Sequence, residues 1–278
     1  MTENGKKIKT ERAFPAKMRG RLAAHFRKYR WNYLFSVLAV AVMWGVWVAA
    51  YLAVGNEYVV PSFTETMREL GALFASGTFW ESFGGTLWRT VAGWLLAFAF
   101  AVLFAAAGVA SKKFRSFFAP FVSVFRTLPT MAITLMLLIW STPLVAPVIV
   151  TFLMLFPVTY AQLMAAYGEI DPQLFEMARV YGVPRREVLC KIAVPGMLPA
   201  VFSQAGPNLS LSLKVTISAE VLVSTFRSLG GMMHEAANYL QVAEMFALTI
   251  LALLVGGLFE FALHFLTRIT ARWKGGAV

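Results

Sequence analysis

Apolar residues in this chain come in long runs broken by short stretches rich in basic residues, proline or glycine. Six of the runs reach the ~20 residues that a helix needs to cross a hydrocarbon core of about 30 Å. They predict spans at 31–54, 84–110, 117–140, 143–166, 200–223 and 243–267. The second is long enough to tilt, and Pro120 and Pro129 make the first half of the third irregular. The runs lack the short alternating segments of an outer-membrane barrel, so helices are the spanning elements. The expected fold class is all-α, a polytopic transmembrane helix bundle of about six spans. Its expected parts are a basic segment 1–30, a first transmembrane helix 31–54, an outer loop 55–83, a core membrane domain 84–267 and a tail 268–278.

Polar positions inside these runs carry the first functional hints. Asn208, Ser212, Thr216 and Glu220 recur every fourth residue in the fifth run and form one helical stripe, while Ser210, Lys214 and Ser218 form a roughly opposite one. Two polar faces cannot both meet lipid cheaply. This helix is therefore expected to be central, either bordering a water-filled path or dimer interface, or tied to its neighbours by hydrogen bonds. Arg89 and Glu220 lie at similar depths near the outer ends of their spans, and Arg126 and Glu260 match on the inner side. Both are candidate intramembrane ion pairs, because pairing lowers the cost of burying a charge. Lys214, near the midplane, has no obvious partner at its depth; it either lines a translocation path or forms a structural ion pair with Glu220 or Glu260 of either subunit. In the outer segment, Ser62-Phe63-Thr64-Glu65 has the form of a capping box that opens a short helix, with Gly77 placed to close it. That helix either covers the bundle or docks an external partner.

Composition agrees with a lipid-solvated chain: 59% of residues are hydrophobic, 14% are charged and the mean hydropathy is +0.67. The net charge of +11 suggests a nucleic-acid binder until its distribution is read. Ten of the 25 Lys and Arg precede residue 31. Adding Lys112, Lys113, Arg115, Arg179, Arg185, Arg186, Lys191, Arg268, Arg272 and Lys274 places twenty on one side of the membrane, against Arg68 and Arg227 on the other. This is the positive-inside signal, so both termini are expected in the cytoplasm and no nucleic acid as partner. The apolar run after the basic segment is too long for the core of a cleaved signal peptide and reads as a retained helix. One cysteine, Cys190, and three scattered histidines suggest no disulfide and no metal or cofactor site, and His234-Glu235 lacks the second histidine of a zinc protease.

The cytoplasmic connection 167–199 is too long to be a tether, and it reads as two short helices. Asp171 caps the first, Pro172 opens it and Gly182 ends it; Pro184 opens the second and Pro195 closes it. Leu174, Phe175, Ala178 and Tyr181 on the first helix, with Val188, Leu189 and Ile192 on the second, give apolar surface that must pack on the bundle or on another protein.

Here Glu176-Met177-Ala178, three residues, Gly182, nine residues, then Ile192-Ala193-Val194-Pro195 resembles the EAA loop of binding-protein-dependent ABC importer permeases. In that family the pattern is Glu-Ala-Ala, three residues, Gly, nine residues, Ile-x-Leu-Pro. Glu176, Ala178, Gly182, Ile192 and Pro195 match at the family spacing; Met177 and Val194 depart conservatively. Thr86-Leu87-Trp88-Arg89 with Gly93, Arg126-Thr127-Leu128-Pro129 with Trp140, Ala219-Glu220 and Leu229-Gly230 also have counterparts there. The similarity runs over residues 61–273 and is greatest to the branch importing nitrate, sulfonates, taurine or thiamine precursors.

The resemblance implies a type I ABC importer permease fold in a bacterial plasma (inner) membrane. It further implies a homodimer, cytoplasmic ATPase subunits that grip the 167–199 loop, and an external solute-binding protein. The chain has no Gly-x-x-x-x-Gly-Lys-Ser/Thr loop, so hydrolysis must come from another subunit. The expected function is therefore a path for a small polar or anionic solute, with Asn208, Ser212, Lys214, Thr216 and Glu220 as candidate path residues. The family often has an aromatic residue near position 214, so Lys214 points to this chain's own specificity. An ion-coupled transporter acting alone would explain the intramembrane charges, but it leaves the EAA spacing unexplained. A membrane-embedded enzyme needs a nucleophile with a base, or a metal cluster, and neither pattern occurs.

Overall fold

The computed structural model describes the backbone of residues 16–274 and, within them, the side chains of residues 34–267 apart from Arg185. The first fifteen residues, which hold four of the N-terminal basic side chains, lie outside the described residues, as does the tail beyond Lys274. Every regular element is helical and no strand occurs among the described residues. The chain forms two compact units, residues 1–56 and 57–278. The first holds α1 (Ala16–Val54), whose Leu34–Val54 portion is apolar all round, as lipid solvation favours.

In the second unit, α2 (Phe63–Ala75) starts where the capping pattern lies: Ser62 Oγ accepts the Glu65 N–H at 3.2 Å. It ends at Ser76, before the expected Gly77, which instead opens α3 (Gly77–Ala110). At 1.5 Å per residue, the 34 residues of α3 extend about 51 Å, well beyond a hydrocarbon core. Gly93, Ala97, Ala101, Ala105 and Gly108 form a buried stripe of small residues along it. This stripe seats α6 (Ala146–Gly168) so closely that a Cβ on Gly93 would lie 2.8 Å from Thr151 Cβ. Phe104, Phe118, Phe152, Phe156 and Tyr160 fill the rest of this seam.

The third predicted span is two helices and not one irregular helix. α4 (Lys112–Thr127) and α5 (Thr130–Trp140) meet at 93°. Pro120 is accommodated inside α4, and the break falls at Leu128-Pro129, where the residue before proline is held extended at ψ 129°. After α6 come α7 (Pro172–Val180), the short α8 (Arg185–Val188), a π turn Leu189–Ala193 and α9 (Val194–Val223). Pro195 therefore does not close a loop helix: α8, the π turn and α9 run on without interruption. The Val194 N–H reaches back five residues to the Leu189 carbonyl, and this widened turn makes room for the Pro195 ring. α10 (Leu229–Asn238), which the hydropathy pattern did not suggest, is a short helix before α11 (Val242–Lys274). Leu73, Phe79, Leu213, Ile217, Leu229, Leu248 and Leu251 form the core of this outer half. Among the described residues, five helices are long and apolar enough to cross a membrane, or six if α4 and α5 make one broken span.

Candidate coupling loop and transport path

Between α6 and α9 the chain makes a knob from α7, a turn at Gly182 and α8, which runs on into α9. Asp171 Oδ1 accepts the Gln173 N–H at 2.9 Å, and Pro172 fills the first helical position. At the other end of α7, Val183 N–H donates to the Ala178 carbonyl at 2.9 Å and Gly182 N–H to Arg179 at 3.2 Å. These are the two bonds of a Schellman turn, and its left-handed residue is Gly182 at φ +65°. The loop's apolar surface divides in two. Ala178 is buried, Phe175 lies half-buried against Tyr167, and Val188, Leu189 and Ile192 are half-buried. Val180 and Tyr181 at the turn are about four-fifths exposed, and Glu176, Gly182 and Pro195 are also exposed. A cavity of about 500 Å³ lies beneath the knob, between Val109, Ala110, Tyr167 and Leu189.

α9 is central, and its two polar faces behave differently. The stripe Asn208, Ser212, Thr216, Glu220 is buried within the chain, and each member has a partner. Asn208 and Gln162 exchange two hydrogen bonds, at 2.7 and 3.2 Å. Ser212 Oγ donates to the Thr90 carbonyl at 2.9 Å, and Thr216 shares a 2.8 Å bond with Thr151. Asn208 borders a cavity of about 20 Å³ between α3, α6 and α9 that has room for a single water. These bonds join α9 to α3 and α6. Of the two sequence readings of the stripe, hydrogen-bonded ties between helices describe this geometry.

At the outer end of the stripe the ties become a buried ionic node. Arg89 Nε donates to Glu220 Oε1 at 2.7 Å, and Arg89 Nη2 donates to the Arg227 carbonyl at 3.1 Å. Thr86 Oγ1 donates to Glu220 Oε2 at 2.8 Å and accepts the Leu229 N–H at 2.8 Å. The Gly230 N–H donates to Glu220 Oε2 at 3.2 Å. Glu220 is wholly buried and Arg89 nearly so. The node thus fastens α3, α9 and the start of α10. It also holds a loop in which Ser224 and Arg227 adopt φ near +50°, which non-glycine residues rarely do. A side chain at position 230 is excluded, because its Cβ would fall 2.3 Å from Glu220 Cβ.

The other inferred pair does not form in the structure: Arg126 and Glu260 are both exposed and share no ion pair among the described residues. Arg126 ends α4, just before the break. Glu260 instead flanks α9, where a Cβ on Gly206 would lie 3.2 Å from Glu260 Cα. Lys214 lies on the outward face of α9, exposed and without an ion pair among the described residues. Sequence reasoning overlooked Gln162 and Thr151, although an amide inside an apolar run is a signal in itself. Among the described residues no group of three His, Cys, Asp or Glu is arranged to hold a metal ion.

Comparison with known proteins agrees with this architecture. Over 247 residues the chain is 24% identical to a putative aliphatic sulfonates transport permease protein of Bacillus subtilis (strain 168), spanning 88% of this chain and 89% of that one. It is 22% identical over 264 residues to the taurine transport system permease protein of Escherichia coli (strain K12), spanning 90% and 96%. Among solved structures, the fold is similar to a bacterial ABC transporter involved in the import of the acidic polysaccharide alginate. There the TM-score is 0.61 at 17% identity, over 89% of this chain and 98% of that one. An amino acid ABC transporter gives 0.59 at 16% identity, over 73% and 97%. Residues 97–274 match the family described as binding-protein-dependent transport system inner membrane component. The chain belongs to that family and is the permease subunit of an ABC importer.

Proposed function

We propose that two copies of this permease form a path for a small organic anion along the outward face of α9, with both termini in the cytoplasm. An external binding protein delivers the solute, and ATPase subunits grip the Glu176–Pro195 knob. The observation that carries this reading is the contrast on α9: one polar stripe is fully satisfied inside the chain, while Lys214 near the midplane is exposed and has no ion pair among the described residues. A lysine at the bilayer centre costs about 2.5–3.5 kcal/mol on insertion scales, so a face that carries one meets water or a second subunit and not lipid. An unpaired ammonium in such a path favours an anion. Relatives named for aliphatic sulfonates and for taurine support a solute that carries an anionic sulfonate group. Asn208, Ser212, Thr216 and Glu220 then hold the wall of the path in place, and Lys214 faces the solute.

The same reading assigns the knob its task. Its Schellman turn fixes the exposed Val180 and Tyr181 as a rigid tip, and the unbroken helix from Arg185 to Val223 carries displacement of the knob into the path-lining helix.

Lys214→Met keeps side-chain length and removes charge. In the assembled complex it is expected to leave assembly and basal ATP hydrolysis intact. Uptake should fall about tenfold or more, since a hydrogen bond to a charged group is worth about 1.5–3 kcal/mol. Undiminished uptake overturns the path assignment. So does misassembly that a second, carboxylate-neutralising change repairs together with uptake, because Lys214 is then structural.

A further inference from the structure

The outward face of α9 has a counterpart on α11. On α9 the exposed positions Ser203, Pro207, Leu211, Lys214 and Ser218 follow the spacing four, four, three, four; on α11 Thr249, Leu253, Gly257, Glu260 and His264 follow the same spacing and are likewise exposed. Each set is a single helical stripe. The two helices run antiparallel, and their register is fixed by close approaches: Gly206 against Glu260, and Gly256 against Ser210. Between them lies a cavity of about 390 Å³, whose wall includes Ser203, Pro207, Gly257, Glu260, Phe261 and His264. Pro207 has no N–H, so the Ser203 carbonyl there lacks its helical donor. The neighbouring exposed positions Leu254, Leu258 and Phe265 of α11 are apolar and suit lipid, while Phe261 is an apolar member of the cavity wall. Polar groups are thus gathered on one strip that includes the α9 face assigned above to the path.

Glu260 is level with Gly206, eight residues inward of Lys214, or about 12 Å along the helix axis. It has no ion pair among the described residues. A carboxylate at this depth is costly unless a cation visits it or water reaches it. Extended lysine and glutamate side chains together cover most of that distance.

We infer that Glu260 is the release group of the path: when the permease opens inward, its carboxylate takes the Lys214 ammonium from the solute anion and expels the anion towards the cytoplasm. This rests on the reading that the outward face of α9 lines the path for an anion. Lys214 then alternates between two anionic partners, the solute in one state and Glu260 in the other. Each state pairs the lysine, and while the solute holds Lys214 the Glu260 carboxylate faces the cavity beside it. Ordered this way along the path, attraction at Lys214 precedes repulsion at Glu260.

The test uses the complete complex in proteoliposomes, with alkanesulfonates of one to four carbons and taurine as probe solutes. Glu260→Gln is expected to retain solute-stimulated ATP hydrolysis while uptake per ATP falls about tenfold. Inhibition by solute on the cytoplasmic side should appear at lower concentration, because the lysine holds the anion longer. In a Lys214→Met background the same change should alter uptake no further. Full uptake in Glu260→Gln overturns the inference, as does an equal loss in both backgrounds. If Glu260→Gln fails to assemble, Glu260→Asp is compared: normal release with the charge retained supports the inference, and misassembly of both variants overturns it. The underlying reading is tested separately by Leu211→Cys on a Cys190→Ser background. Failure of a water-soluble thiol reagent to reach Leu211→Cys, or failure of the wild-type complex to take up any probe, overturns the anion path itself. Labelling with an inert Glu260 overturns only the release role.

Discussion

At the scale of single residues, the Arg89–Glu220 node is where the outer half of the bundle is most sensitive. Removing one member of a buried ion pair strands the other charge, which costs about 3–5 kcal/mol. Arg89→Met should therefore lower the thermal midpoint of the purified permease sharply, whereas Arg89→Met combined with Glu220→Leu should recover part of the loss. Gly230→Ala should be as harmful as Arg89→Met without altering any charge, because its Cβ cannot fit beside Glu220. Equal midpoints for wild type and Gly230→Ala would show that α10 does not sit against α9 in this way. Depth along a span made the Arg89–Glu220 pair legible in the sequence, and the same reasoning proposed Arg126 with Glu260. Depth fixes only one coordinate. The angular position of Arg126 depends on the break at Leu128-Pro129, and that of Glu260 on the close approach at Gly206. Neither is encoded in hydropathy. Asn208, Ser212 and Thr216 were found as a stripe for the same reason, but their partners Gln162, Thr90 and Thr151 depend on helix packing that no single run reveals.

At the scale of elements, local chemistry was the more readable part. Ser62 and Asp171 cap the helices they were expected to cap, and Gly182 takes the left-handed conformation that ends α7. Two proline readings went otherwise for one reason: a proline breaks a helix only where the preceding turn cannot adapt. Ahead of Pro195 the π turn adapts and the helix continues; at Leu128-Pro129 the chain turns by 93°. The continuity of α8 with α9 makes Gly182 a mechanical position. Gly182→Val places a β-branched residue at φ +65°, a strain of at least about 1–2 kcal/mol, although the surrounding space is open. The variant should insert and assemble but lose the coupling of solute to ATP hydrolysis. Glu176→Ala, which leaves the turn intact, should weaken the ATPase contact and spare the fold. Solute-stimulated hydrolysis at the wild-type level in Gly182→Val would mean that the knob does not transmit force.

At the scale of the whole molecule, the broken α4–α5 pair decides the topology. If the pair crosses the membrane as one bent span, the second unit and α1 together cross six times and both termini share a side. If it is re-entrant, the chain crosses five times and every later segment is inverted. The charges choose between these. With six crossings, Arg179, Arg186 and Lys191 fall on the same side as Lys112, Lys113 and Arg115, and only Arg68 and Arg227 fall opposite. With five, the whole 167–199 knob and the basic end of α11 would face outwards, against the positive-inside rule and out of reach of any ATPase. Single cysteines on a Cys190→Ser background test this directly, with a thiol reagent that does not cross membranes. Thr64→Cys, Thr142→Cys and Asn238→Cys should label from outside in intact cells, while Lys7→Cys, Lys113→Cys and Gln173→Cys should label only after permeabilisation. Outside labelling at Gln173→Cys with protection at Asn238→Cys is the signature of the re-entrant alternative. That result would remove the proposed ATPase contact together with the inward direction of release from Lys214.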